Sequence, residues 1–147
     1  MIGVTQTRTG FPSGNCTEAA LASVLGCGLD DVPVLWCGRF DVATVEEAQP
    51  SDRMAAMLSW LRETHGKQWI EWRFVSPMSL PLTEDVYSEI PEWRGDWAEP
   101  HFLVGPNPDG IAHVVVGVRG AVAWDSNPLR RGIVAATRIG QLWPVAE

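Results

Sequence analysis

The sequence predicts an α+β protein, because two helical patterns occupy its first half and strand patterns fill most of its second half. The helical segments place apolar residues three and four positions apart, and the later segments either alternate or form short apolar runs. At 147 residues, 46% of them hydrophobic, the chain is long enough to bury a core. We therefore expect one domain over residues 1–147, with a helical N-terminal part packed on a C-terminal antiparallel β-sheet.

The first helix follows a loop over residues 9–14 that is rich in glycine and hydroxyl residues. Asn15 is a favourable N-cap, and Glu18, three residues later, completes a capping-box pattern. Gly26 and Gly28 end the helix. Its apolar face is formed by Ala20, Leu21, Val24 and Leu25. This pattern places Cys16 in the first turn of the helix.

A short helical turn is predicted over residues 29–33, and a second long helix from about Ser51 to His65, closed by Gly66. Four apolar residues predict the buried stripe of the long helix: Met54, Met57, Leu58 and Leu61. Strand patterns then follow at residues 69–75, 101–104, 111–118 and 121–125, and one or two further strands are indicated at 132–137 and 141–145.

Residues 83–99 carry six acidic side chains against the single basic residue Arg94, together with Tyr87, Trp93 and Trp97. This composition predicts a long acidic loop. Two interpretations stay open for it. One is a lid or substrate-binding rim, and the other is a solvated insertion anchored by its tryptophans.

The net charge of -7 argues against a nucleic-acid partner or an anionic membrane surface, because both repel an acidic protein. The longest apolar stretch, residues 111–118, is far shorter than the ~20 residues that a membrane helix needs. The N-terminus lacks the basic start and apolar stretch of a signal peptide. We therefore expect a cytoplasmic protein with no membrane partner.

The three cysteines, Cys16, Cys27 and Cys37, are odd in number and have neither disulfide-framework nor zinc-knuckle spacing. Cys27 and Cys37 are interpreted as structural, and no metal or cofactor is predicted. Cys16 differs because amide N–H groups and the positive end of the helix dipole favour its thiolate form. The same amides can stabilise an oxyanion, so Cys16 is a candidate nucleophile. The alternative is that Cys16 is a small buried hydrophobe.

His113 lies within the most apolar strand pattern, where an ionisable ring needs a partner. A two-residue loop of Arg119 and Gly120 would place Asp125 on the opposite face, and Arg-Gly suits neither favoured two-residue turn. A three-residue loop, residues 118–120, with a G1 bulge pairs Gly117 with Ala121 and sets His113 directly opposite Asp125. At that spacing the carboxylate can fix the tautomer of the ring.

This register also predicts the two faces of the hairpin. The apolar face, interpreted as the core side, contains Val114, Val116, Val118, Val122 and Trp124. The other face is expected to look towards the helix that carries Cys16, and it contains His113, Val115, Gly117 and Asp125.

Three short motifs resemble those of the papain-like cysteine peptidases: Gly14-Asn15-Cys16 before a helix, His113-Val114-Val115-Val116, and Trp124-Asp125-Ser126-Asn127-Pro128. The resemblance is greatest to the C39-like branch and to small stand-alone relatives of bacterial and phage genomes. It implies a papain-like fold with Cys16 as nucleophile, His113 as base and Asp125 as its orienting residue. By the same resemblance Gln6 would donate to the oxyanion hole. Gln6 lies ten positions before Cys16, a longer interval than in papain, so the intervening loop would have to fold back.

The predicted function is a cysteine hydrolase that cleaves a peptide, isopeptide or other amide bond of a peptide or protein substrate through an acyl-thioester. An acyltransferase or deamidase would use the same three residues, and product analysis would separate it. A third hypothesis is an inactive papain-like scaffold, such as a phage or bacterial accessory protein, that binds a partner through its acidic tryptophan-rich face. The substrate-binding residues and the oligomeric state are not indicated by the sequence.

Overall fold

The computed structural model of the chain describes residues 2–7, 16–33 and 50–145. Its helices are α1 (Cys16–Leu25), a 3₁₀ turn (Leu29–Asp31), α2 (Pro50–Trp60), which continues as a π-helix (Leu61–His65), and α3 (Glu84–Glu89). Its strands are β1 (Lys67–Met78), β2 (His101–Pro106), β3 (Ala112–Val118), β4 (Ala121–Trp124) and β5 (Ala136–Pro144). The strands form one antiparallel sheet in the order β1-β5-β2-β3-β4. The α+β class predicted from the sequence is therefore confirmed.

The long second helix ends as predicted, because Gly66 adopts the left-handed conformation with φ 62°. Met57 and Leu61 are buried, as the spacing of four residues indicates. Leu58 is 40% exposed, so its assignment to the core was wrong. It lies about 100° around the helix from Met57, and α2 packs through a narrower stripe than predicted.

Both faces of the central strands of the sheet are buried. On the first face, Leu21 of α1, Met57 of α2 and Leu61 of the π-helix form a cluster with Phe102 and Val116 of the sheet. On the second face, a segment running from Leu80 to Trp97 covers the sheet and buries Leu82, Tyr87 and Ile90 against Leu103, Val115 and Ile139. The strand β3 is thus apolar on both sides, which explains its continuous run of valines.

The acidic segment is not simply a long loop, as the sequence predicted, because residues 84–89 form α3. Tyr87 and Ile90 lie three residues apart and both are buried, so this helix has an apolar side that packs on the sheet. Residues 132–145, where one or two strands were predicted, contain one strand, β5 (Ala136–Pro144), which is inserted between β1 and β2.

The β3–β4 hairpin differs from the predicted register. Val118 pairs with Ala121, so the loop has two residues, Arg119 and Gly120, with φ of 52° and 78°. Positive φ at both residues is the condition of a type I′ turn, so the predicted three-residue loop was wrong. Tertiary contacts hold this turn: the Arg119 N–H donates to the Trp97 carbonyl at 3.0 Å, and the Gly120 carbonyl accepts from Leu82 N–H at 2.7 Å.

A bulge follows the turn and changes the face on which Asp125 lies. Gly117 pairs with Val122 and Val116 with Trp124, so Ala123 has no partner in the ladder. With the two-residue loop alone, Asp125 would lie on the face opposite to His113. The extra residue shifts the register by one, so Asp125 lies on the same face as His113. The predicted direct opposition of His113 and Asp125 was therefore wrong, and the two residues are related diagonally.

The predicted faces are correct only in part. Val114, Val116 and Trp124 do share a core face, but that face is the one on which α1 packs. Val115 belongs to the cluster on the second face. Gly117 faces the same side, because a side chain at this position would meet Leu103 and His101. Val122 pairs with Gly117 and is 36% exposed, so it is not part of the predicted core. The prediction failed because it assumed that only one face of the sheet is covered.

Within the described ranges, no helix is long and apolar enough to cross a bilayer.

Candidate active site

Cys16 is the first residue of α1 and is half-buried. The helix packs on β3, the strand that carries His113. Glu18 is buried in the first turn of α1, where a carboxylate suits the helix dipole. The predicted N-cap Asn15 and the loop 9–14 lie outside the described residues.

His113 and Asp125 form a buried pair, with 5% and 4% of their surfaces exposed. His113 Nε2 lies 2.6 Å from Asp125 Oδ1. Because a carboxylate only accepts, Nε2 carries the hydrogen and donates it to Asp125. The Cys16 side chain is near enough to the His113 ring to act on its pKa, both as a hydrogen-bond partner and as a negative charge. Since Nε2 is engaged by Asp125, Nδ1 is the nitrogen available to the sulfur. The structure thus joins His113 directly to Asp125 and places Cys16 within range to influence the ring.

Two backbone amides fix the Asp125 carboxylate. Asn127 N–H donates to Oδ1 at 2.9 Å and Gly132 N–H donates to Oδ2 at 2.6 Å. Each oxygen therefore has a backbone donor, and the orientation of the carboxylate towards His113 does not depend on His113 alone.

These contacts set the charges of the pair. Burial by itself lowers the pKa of His113, but the hydrogen bonds with Cys16 and Asp125 and the negative charges of both groups raise the pKa to about 8. For Asp125, burial acts to raise the pKa, and the hydrogen bonds from His113, Asn127 and Gly132 outweigh it, so the pKa is lowered. At neutral pH the pair is therefore an imidazolium and a carboxylate.

Gln6 is buried beside this pair, with 4% of its surface exposed. Its backbone N–H donates to the Ser126 carbonyl at 2.9 Å, and its Oε1 accepts from the Ser126 hydroxyl at 2.9 Å. Ser126 directly follows Asp125, so Gln6 is fixed to the same stretch of chain that carries the orienting carboxylate. Because Oε1 is engaged by Ser126, Nε2 is the donor end of the amide.

Arg130 was not selected from the sequence, yet it organises this region. Its guanidinium donates to the Asp125 carbonyl at 2.7 Å, the Asn127 carbonyl at 3.0 Å and Thr5 Oγ1 at 3.1 Å. It also lies 3.9 Å from the centre of the Trp124 ring. Arg130 therefore joins the segment that contains Gln6 to the segment that contains Asp125. An arginine five residues after an aspartate carries no recognisable sequence signal, so only the folded chain identifies it.

A cavity of about 400 Å³ lies against His113 and Asp125, between the turns at residues 107–111 and 127–132. An ion pair of Arg131 with Asp109, 2.8 Å long, borders it. Cys16 is not among the described residues that line this cavity.

The other cysteines and histidines lie elsewhere. Cys27 is half-buried, and burial raises the pKa of its thiol, as expected for a structural cysteine. Cys37 lies outside the described residues. His101 is bonded to Tyr87 and belongs to the second face of the sheet. In the part of the chain that the structure describes, no group of three His, Cys, Asp or Glu side chains could hold a metal ion.

Comparison of this chain with protein-family models, with curated proteins and with solved structures gave no match.

Proposed function

We propose that the protein is a papain-like cysteine hydrolase that cleaves an amide bond through an acyl-thioester on Cys16. The observation that carries the proposal is the 2.6 Å hydrogen bond between His113 and Asp125, together with the influence of the Cys16 side chain on the pKa of the same ring. A nucleophile, a base within reach of it and a group that orients the base are the arrangement that covalent amide hydrolysis requires.

The proposed reaction starts with the proton of the Cys16 thiol already transferred to His113, so the imidazolium is present when the sulfur attacks the carbonyl carbon. A carbon–sulfur bond forms, and the tetrahedral oxyanion then expels the amine, which takes its proton from the His113 imidazolium. In the second half, His113 removes a proton from water as the water attacks the thioester. The carboxylic acid leaves, and the proton returns to the sulfur of Cys16.

The pKa of His113 suits both halves of this cycle. A value of about 8 lets the ring hold the proton at neutral pH and return it to the leaving amine. Asp125 supports the imidazolium through the 2.6 Å bond and fixes which nitrogen faces the sulfur.

The oxyanion would be held by the backbone amide of Cys16, at the start of α1, and by the side chain of Gln6. Support for Gln6 is its burial and its anchoring to Ser126, next to Asp125. Support for the papain-like assignment is the order of the elements. A cysteine opens a helix that packs on a sheet, a histidine lies near the start of one strand, and an aspartate follows the next strand.

Thiol labelling tests the proposal directly. Iodoacetamide at pH 6.5, followed by peptide mapping, is expected to modify Cys16 at least about tenfold faster than the half-buried Cys27. His113→Gln should abolish this difference, since the neutral amide cannot take the thiol proton. Arg138→Gln, a change at the ion pair with Glu71, is the control because neither residue lines the cavity beside His113, and it should leave the rate unchanged.

Hydrolysis is then measured with a library of fluorogenic peptide and isopeptide amides, with Cys16→Ala as the control for background cleavage. Release of two fragments identifies hydrolysis, whereas an adduct with an added amine identifies acyl transfer. Equal labelling of Cys16 and Cys27, or labelling of Cys16 only after unfolding, would contradict the proposal.

A further inference from the structure

A second cavity, of about 440 Å³, lies in the segment that covers the second face of the sheet. It shares no lining residue with the cavity beside His113. Six of its lining residues are aromatic or acidic: Tyr87, Trp93, Trp97, Glu84, Glu92 and Asp96. The proposed hydrolase reaction uses none of them.

The three aromatic rings meet at steep angles. The centroids of Tyr87 and Trp93 are 5.1 Å apart with the planes at 72°, and those of Tyr87 and Trp97 are 5.6 Å apart at 57°. Rings that are steeply inclined to each other around a cavity can present π-electron density to it from more than one direction. The faces of aromatic rings carry negative charge density and attract cations.

The base of this aromatic group is rigid and uncharged. The Tyr87 hydroxyl donates to His101 Nε2 at 2.7 Å, and His101 Nδ1 donates to the Glu99 carbonyl at 2.7 Å. Both nitrogens are therefore satisfied in the neutral ring, and burial lowers the pKa of His101. No positive charge of His101 offsets the carboxylates around the cavity at neutral pH.

The one basic residue of the segment is also engaged elsewhere. The Arg94 guanidinium lies 4.0 Å from the centre of the Trp143 ring, and its backbone N–H donates to Gln141 Oε1 at 3.2 Å. Arg94 does not line the cavity, and among the described lining residues there is no lysine or arginine. The charged side chains that line the cavity, Glu84, Glu92 and Asp96, are thus all acidic.

Trp93 adds a hydrogen-bond donor. Its indole N–H is buried without a partner in the described part of the chain, and buried donors of this kind are uncommon. This unsatisfied donor belongs to a residue that lines the cavity.

From this geometry we propose that the cavity binds a small molecule with a quaternary or alkylated ammonium group. Steeply inclined aromatic rings with carboxylates around them suit a bulky, weakly hydrated cation, whose attraction to ring faces grows as water is excluded. A primary ammonium is strongly hydrated and fits such a site less well. A metal ion is not favoured, because no metal-holding group of side chains occurs among the described residues.

The test is a titration with choline, followed through the indole N–H signals of Trp93 and Trp97 in nitrogen-15 NMR spectra. Choline is expected to give saturable shifts at both indoles. Its uncharged carbon isostere, 3,3-dimethylbutan-1-ol, should bind at least about tenfold more weakly because it lacks the charge, and ethanolamine should lie between them. Cys16→Ala protein should bind choline as the unaltered chain does, which separates this site from the proposed active site.

Two matched double variants test the role of the cavity carboxylates. Glu84→Gln with Glu92→Gln removes two charges that line the cavity, whereas Asp85→Asn with Glu89→Gln removes two charges of the same segment that do not. Glu84 and Asp85 both occupy the first turn of α3, so their effects on the helix are comparable. We expect the first pair to weaken choline binding about tenfold and the second pair to change it less than about twofold.

Three results would overturn the proposal: no saturable shift with choline, equal binding of choline and its isostere, or equal weakening by the two double variants. Equal affinity for ethanolamine and choline would overturn the preference for an alkylated cation. A Trp97→Leu variant, which removes one ring of the cavity, is expected to weaken choline more than ethanolamine.

Discussion

His113 and Asp125 are joined by a 2.6 Å hydrogen bond although they are not opposite each other in the β3–β4 ladder. The unpaired Ala123 supplies the one-residue shift that places Asp125 on the face of His113. Beyond the end of β4, the carboxylate is held by the amides of Asn127 and Gly132 rather than by sheet pairing. The pairing of base and carboxylate thus depends on a bulge and on the turn that follows it.

The first prediction concerns the titration of His113. By NMR, we expect its pKa to lie near 8, above the ordinary value of 6.5, because its hydrogen bonds with Cys16 and Asp125 outweigh its burial. Cys16→Ala and Asp125→Asn should each lower this pKa, since each removes a negative charge and a hydrogen-bond partner of the imidazolium. His101 is the internal control, and its pKa should stay below the ordinary value in every variant. An unchanged His113 pKa in both variants would show that neither partner contacts the ring in solution.

The second prediction concerns stability and pH. The pKa of His113 is higher in the folded state, so its contribution to stability is complete below about pH 6.5 and is lost as the pH rises through about 8. A shift from 6.5 to about 8 corresponds to about 2 kcal/mol. In urea unfolding, the difference in free energy of unfolding between the unaltered chain and His113→Gln should therefore be about 2 kcal/mol larger at pH 6 than at pH 9. A difference that does not change with pH would contradict this account.

The third prediction compares two adjacent arginines. Arg130→Lys keeps the charge but loses the planar fork that reaches Asp125, Asn127 and Thr5 and the contact with the Trp124 ring. We expect the free energy of unfolding to fall by about 1 kcal/mol, with a lower kcat for the proposed hydrolysis because the two segments of the site are less firmly joined. Arg131→Lys alters an exposed ion pair with Asp109 and is the matched control, with an expected change below about 0.5 kcal/mol. If the two substitutions lower the free energy of unfolding and kcat equally, Arg130 has no positioning role.

The fourth prediction concerns Gln6 and Ser126. If Gln6 donates to the oxyanion, Gln6→Met should lower kcat by about 10²–10³ with little change in KM, because the donor acts in the transition state. Ser126→Ala removes only the hydrogen bond that anchors the amide, so kcat should fall less than about tenfold. The double variant should match Gln6→Met alone. If Ser126→Ala lowers kcat as much as Gln6→Met does, Gln6 is structural.

The sequence by itself determined the local elements, because helix and strand periodicities depend on neighbouring residues. Three such features could be predicted from the sequence alone: the spacing of Met57 and Leu61, the alternation at Trp72 and Phe74, and the position of Cys16 at a helix start. The association of His113 with Asp125 was also predicted, because a buried ring needs a partner, but the hairpin register used to place Asp125 opposite it was wrong.

The tertiary structure decided how that association is made. Arg119 adopts a positive φ that its type disfavours, and contacts from Leu82 and Trp97, residues far from the turn in sequence, hold it there. No local sequence pattern indicates such contacts. The same holds for the stacking of Arg130 on Trp124 and for the cavity lined by Tyr87, Trp93 and Trp97. Periodicity is a property of short stretches of chain. Turn type, bulges and side-chain clusters depend on residues that meet only when the chain is folded.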